Sequence, residues 1–161
     1  MDAWLAIASK RDVREYAETP VPDDVVARIL DAGRLSGSAR NRQEREFVVV
    51  ETTQAELADA VYASANVLGA KLVVAIVGAA SGMDIGRCAQ NMMLAAWNDG
   101  VASCPNGVKD VEAAARICGG EVKSILSFGY PAKPRDPESR SADEWSAKAN
   151  RRPLDELVRR V

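Results

Sequence analysis

The 161-residue chain contains no histidine. That excludes Ser-His-Asp and Cys-His catalysis and most zinc sites, which depend on imidazole as base or ligand. Cysteine is scarce: Cys88, Cys104 and Cys118 are odd in number, with no close pair and no CxxC spacing, a pattern of reduced thiols. There is no basic excess, since 21 Lys and Arg face 23 Asp and Glu for a net charge of −2, so a broad nucleic-acid footprint is not expected. No apolar run approaches the ~18 residues of a membrane helix. The longest, Leu72 to Val77 with Gly78, Ala79 and Ala80 after it, suits a buried strand. Neither GxGxxG nor GxxxxGK[ST] is present, so dinucleotide-fold and P-loop readings lack support. The opening Met1-Asp2-Ala3-Trp4 has no basic stretch, so we expect no secretory signal and a cytoplasmic protein. Chemistry must come from carboxylates, Lys, Tyr, Cys or a bound cofactor.

What is present reads as one soluble domain spanning 1–161, with 47% hydrophobic residues and enough length to bury a core. Helical patterns alternate with short extended ones. Asp2 to Ser9 reads as a first helix, and Pro22-Asp23-Asp24 opens a second whose apolar face is Val26, Ile29, Leu30 and Gly33. Phe47–Val50 reads as a buried strand, 54–65 as a helix and Leu72–Val77 as the second strand. Met83 to Asn98 is the strongest helix, with Ile85, Cys88, Ala89, Met92, Met93, Ala96 and Trp97 giving it a wide apolar face. Val101 to Val108, carrying Pro105, Asn106 and Gly107, reads as a turn. A short helix over Val111–Cys118 and a third strand over Lys123–Tyr130 follow. Pro134 to Ser141 reads as a surface loop, with Arg135 outside any site, and Asp143–Ala149 as a further helix. Three strands among longer helices predict an α+β or α/β sandwich.

Four polar clusters are candidates for function. Lys10-Arg11-Asp12-Val13-Arg14-Glu15-Tyr16 puts three cations within five residues, which suits a phosphate but equally a solvated turn. Ser36–Gln43 is rich in short donors and reads as a ligand loop or an ordinary turn. Ser103–Gly107 offers backbone N–H groups to a heterocycle, or is simply a loop. Lys148-Ala149-Asn150-Arg151-Arg152 either completes a phosphate site or keeps the tail solvated.

In order, these segments resemble the nitroreductase superfamily. Lys10 to Tyr16 is similar to its Arg-Arg-Ser/Asp-x-Arg-x-Phe opening. Ser38-Ala39-Arg40-Asn41-Arg42-Gln43 and Phe47–Val50 are similar to its Ser-x-x-Asn-x-Gln-Pro-Trp-x-Phe-Val-Val, with Glu44-Arg45 in place of Pro-Trp. Asp84 to Ala96 resembles the central helix, Ser127-Phe128-Gly129-Tyr130-Pro131 the strand ending in Gly-Tyr-Pro, and Arg151 to Val158 the closing Arg-Lys-Pro-Leu-Glu-Glu-x-Val.

The resemblance implies an α+β three-layer sandwich, with a central, mainly antiparallel sheet flanked by helices, in an intertwined homodimer holding FMN at the interface. It implies an FMN-dependent NAD(P)H oxidoreductase that passes two electrons through flavin N5 to a nitroaromatic, quinone or enone-like acceptor. No catalytic side chain and no metal are then needed. Carried over, Lys10, Arg11 and Arg14 would face the phosphate and the flavin's polar edge, and Asp12 the ribityl or ring edge. Ser38 and Asn41 would line the site from the partner subunit. Pro105, Asn106 and Gly107 would approach the isoalloxazine through the N–H groups of Asn106 and Gly107. Lys148 and Arg151 would close on the phosphate, and Cys104 would pack rather than react. Two other readings stay open: a non-catalytic flavin-sequestering dimer, and a flavin-fragmenting enzyme of vitamin B12 lower-ligand synthesis, where Asp also occurs at the Asp12 position.

Overall fold

Every side chain of Leu72–Val77 is buried, and this strand is the centre of the fold. A computed structural model describes residues 1–161. Its elements in chain order are α1 (Ala3–Ser9), α2 (Asp23–Arg34), β1 (Glu46–Val49), α3 (Gln54–Asp59), α4 (Ser64–Leu68), β2 (Leu72–Val77), α5 (Gly82–Asn98), β3 (Ala102–Asn106), α6 (Val111–Cys118), β4 (Val122–Gly129), α7 (Ala142–Ala147) and α8 (Leu154–Leu157). Short 3-10 turns cover Ala39–Asn41 and Pro137–Ser139. No helix is long and apolar enough to cross a membrane.

The chain divides into two units, one of Met1–Lys10 with Asp136–Val161, the other Arg11–Arg135. In the smaller unit α1 packs on α7 and on the Pro137–Ser139 turn. Asp2 caps α1 by accepting the Leu5 N–H at 2.8 Å, and Ser141 with Glu144 forms a reciprocal capping box on α7. The Trp145 indole donates to the Pro137 carbonyl at 2.7 Å, and the Arg140 guanidinium lies over its ring.

The larger unit has three layers around one antiparallel sheet of order β1-β2-β4-β3. Because side chains alternate along a strand, β2 serves two cores. Leu72, Val74 and Ile76, with Leu126 and Phe128 of β4, face α2 and α5. Val73, Ala75, Val77 and Ile125 face α3, α4 and α6. The expected apolar face of α5 is buried throughout, from Ile85 to Trp97.

Four strands replace the three expected, because Ala102–Asn106 is a strand rather than a turn. The Val13 N–H donates to the Ser103 carbonyl at 3.1 Å, so Ser103, and two residues on Pro105, turn toward the open side of this edge strand. A missing N–H costs no ladder bond there, which is why Pro105 is tolerated. The strand at 46–49 is half-buried rather than buried, since it forms the opposite edge. The helix expected over 54–65 is broken at Ala60, whose carbonyl accepts the Lys109 and Asp110 N–H groups while Val61 bridges to Val108.

Candidate functional site

The segment from Asp12 to Ala17 is extended and lies between two distant parts of the chain. On one side Asp12 bridges Ser103 of β3 in parallel. On the other, Tyr16 bridges Pro131 antiparallel, the Ala17 N–H donates to the Tyr130 carbonyl at 2.8 Å, and the Ala132 N–H donates to the Glu15 carbonyl at 3.0 Å. Beyond Pro131 the chain bends and brings Lys133 and Arg135 beside Asp12 and Arg14. A cleft of about 330 Å³ opens there, lined by Asp12, Val13, Arg14, Glu15, Lys133 and Arg135. Three cations meet two carboxylates in it. All five charged side chains are exposed, while Val13 is buried beneath them. Arg135, read from sequence as outside the site, is therefore a wall of the cleft, and Lys133 is a residue sequence reasoning missed. The available signal was the Lys133-Pro134-Arg135 run, one residue past Gly129-Tyr130-Pro131.

The neighbouring edge strand presents Pro105 and Gly107 to solvent and turns Asn106 inward. The Asn106 side-chain amide donates to the Cys104 carbonyl at 3.1 Å, to the Ser127 hydroxyl at 3.2 Å and to the Ile125 carbonyl at 3.4 Å. The Asn106 side chain is therefore committed to the sheet interior. Cys104 is buried and forms no disulfide.

The Ser38–Gln43 loop stands on α2 and α5 and shares no lining residue with the cleft. Three of its non-glycine residues have left-handed backbone: Arg40 at φ 52°, Asn41 at 55° and Gln43 at 56°. Asn tolerates this region, but Arg and Gln pay for it, on the order of 1–3 kcal/mol each. The surroundings hold the strained shape. The Gln43 N–H donates to the Ser38 hydroxyl at 3.0 Å, and the Ala39 N–H donates to the buried Asp84 carboxylate at 3.3 Å. The Arg45 guanidinium donates to the Gly33 carbonyl at 3.3 Å and to that of Ser36, closing the end of α2. Arg45 is thus a helix-end clamp.

Arg11 opens the larger unit, whereas Lys10, Lys148 and Arg151 belong to the smaller one, where Lys10 and Lys148 follow α1 and α7 and Arg151 donates to the Ala149 carbonyl at 3.2 Å. No group of three His, Cys, Asp or Glu side chains is placed to hold a metal ion.

Tyr16 is the one strongly perturbed group near the cleft. Burial pushes its hydroxyl up to about 12, Cys104 and Asp12 add to the rise, and the Ser127 hydrogen bond and Arg14 oppose it. The folded state holds this proton more tightly than the unfolded chain, where tyrosine ionises near ~10. Its stabilising share is full below pH ~10 and is lost as pH rises to about 12, up to roughly 2 kcal/mol. Urea midpoints measured from pH 9 to 11.5 should fall, and Tyr16→Phe should flatten that fall; an unchanged slope in the variant contradicts the assignment.

Comparison with known proteins adds the following. A model described as "Nitroreductase family" matches residues 7–81. The chain is 26% identical to a Methanothermobacter thermautotrophicus protein assigned as an NADH dehydrogenase/NAD(P)H nitroreductase, over 90% of this chain and 88% of the relative. A nitroreductase family protein of Clostridium difficile superposes with a TM-score of 0.82 at 22% identity, covering 99% of this chain and 98% of the other. A Desulfovibrio desulfuricans protein assigned as a nitroreductase, solved in complex with FMN, superposes at 0.79 with 25% identity, covering 98% and 96%.

Proposed function

We propose that this chain is a member of the nitroreductase family, whose model matches residues 7–81, and that it binds FMN and acts as an NAD(P)H oxidoreductase. The observation that carries the reading is the cationic cleft of Arg14, Lys133 and Arg135 beside an edge strand with an exposed Pro105 and Gly107. The donor set fits the cofactor. A phosphate dianion calls for two or three cations, and Arg offers a planar fork to its oxygens. The two carboxylates, Asp12 and Glu15, keep the cleft from being a bare positive patch and leave ribityl hydroxyls a partner. Bound FMN supplies two-electron chemistry between NAD(P)H and an acceptor of nitroaromatic, quinone or enone type.

The chain's own work is to bind, orient and exclude water. Arg14, Lys133 and Arg135 fix the phosphate end, with Arg11 of the same unit as a further cation for it. Pro105 and Gly107, both exposed, present a backbone edge to the ring, with the Tyr62 side chain beside Gly107. The clamped 38–43 loop offers Ser38 and Asn41, and we assign these to the site of a partner subunit in a homodimer. A strained loop held from both ends is pre-organised, so ordering it costs nothing at the moment of binding.

The purified protein should be yellow, or take up added FMN with quenching of flavin fluorescence. Anaerobic NADH or NADPH should then bleach it, and a quinone or nitroaromatic should restore the colour. A colourless protein that takes up no FMN overturns the proposal. Bound flavin that no nicotinamide bleaches leaves the sequestering dimer standing instead.

A further inference from the structure

Asn106 is a poor choice for the place it occupies. Asparagine is depleted in strands, yet this one ends β3 with its side chain buried at 8% exposure. Its carbonyl oxygen has no partner, and neither does the hydroxyl of Ser103, at 1% exposure, three residues earlier on the same strand. Orphaned buried polar atoms cost free energy that an apolar residue would avoid. Two on one five-residue strand indicate that the strand is selected for something other than stability.

The Asn106 amide, by contrast, belongs to a polar network. The Ser127 hydroxyl of β4 donates to the Cys104 carbonyl at 3.2 Å and accepts from the Asn106 amide at 3.2 Å. Tyr16 completes it, its hydroxyl lying 3.0 Å from the Ser127 hydroxyl and 3.2 Å from the Ser127 carbonyl. The Tyr16 ring is seated by Gly129, where even a methyl group would lie 2.8 Å from the ring. Three segments are joined in this way: the strip carrying Arg14, the edge strand leading to Pro105 and Gly107, and β4, whose Ser127 bonds to both Tyr16 and Asn106.

We propose that Tyr16, acting through Ser127 and Asn106, is a positioning residue that sets the Pro105–Gly107 edge against the flavin ring, at a fixed offset from the phosphate cleft. This rests on the FMN reading above. Tyr16 itself touches no ligand. Its hydroxyl stays protonated through the ordinary pH range, so the network keeps one donor pattern. Removing the hydroxyl should loosen the ring's seat and leave the phosphate's seat unchanged.

Riboflavin and FMN differ only by the phosphate, so the ratio of their affinities isolates the cleft from the ring seat. Both are titrated into the full-length protein and into Tyr16→Phe and Ser127→Ala, with visible circular dichroism of the bound flavin recorded alongside. We expect each variant to bind both flavins about threefold to tenfold more weakly, the scale of one lost hydrogen bond. The FMN-to-riboflavin ratio should stay unchanged and the dichroic band should alter. Unchanged affinities and an unchanged band in both variants overturn the proposal. So does a fall confined to FMN, which assigns the network to the cleft. Failure of the unaltered protein to bind either flavin overturns the FMN reading first. Should Ser127→Ala not fold, Tyr16→Phe decides alone, since it deletes a single oxygen.

Discussion

Gly78→Ala should lower the melting temperature by roughly 6–12 °C, a loss of about 3 kcal/mol in a chain of this length. Gly78 follows β2 with φ at +120°, a region effectively closed to side chains. A Cβ there would lie 2.7 Å from the Glu44 carbonyl oxygen and 3.2 Å from the Arg45 Cα. Both are backbone atoms, so no rotamer change relieves the clash; the segment entering β1 has to move. That segment is tied down, because the Ala80 N–H donates to the same Glu44 carbonyl at 2.9 Å and the Gly78 N–H donates to the Glu121 carbonyl at 3.0 Å. The Arg45 clamp follows directly, so the strained loop holding Ser38 and Asn41 should loosen too. Gly82→Ala is the matched control, since nothing lies within 4 Å of its Cβ position at the start of α5. It should be neutral or slightly stabilising. Thermal unfolding of both decides the matter, and a drop below about 2 °C for Gly78→Ala contradicts the steric account.

What the sequence shows of this fold follows the range of each interaction. The helices α2 and α5 and the strand β2 were legible because their burial repeats within a few residues of chain: the apolar face read for α5 is the face found buried. The strand β3 was not. Its Ser-Cys-Pro-Asn composition signals a turn, and only its place at the sheet edge, fixed by pairing with β4, makes the proline harmless. The break at Ala60 has the same origin, a tertiary pairing with Val108–Asp110 overriding helical propensity. In the cleft, Arg14 and Asp12 were legible as part of a local charged cluster. Lys133 and Arg135 were hidden, because they reach that cluster through a pairing of residues 15–17 with 130–132, more than a hundred positions apart. The departure at Glu44-Arg45 was visible but not interpretable. Its purpose depends on carbonyls at the end of α2, which a one-dimensional pattern does not expose.

The cleft makes the second large prediction. Arg14→Ala, Lys133→Ala and Arg135→Ala should each weaken FMN binding by about 10- to 100-fold, the scale of a lost charge-assisted hydrogen bond to phosphate. Riboflavin binding should change little, because it brings no phosphate for these cations. Raising the ionic strength should shrink the gap between variant and unaltered protein, since the cleft's charged groups are exposed and screened. Arg14→Lys should recover only part of the loss, as lysine keeps the charge but not the planar fork. Arg34→Ala removes an equally exposed arginine, paired with Asp31 at 2.6 Å on α2, and should leave FMN affinity unchanged. The three cleft residues share one anion, so their effects should not add: the Lys133→Ala/Arg135→Ala pair should cost less than the product of the singles. Isothermal titration at two salt concentrations reads all of this. If FMN affinity survives the loss of both Lys133 and Arg135, the phosphate does not sit between Arg14 and the 133–135 segment.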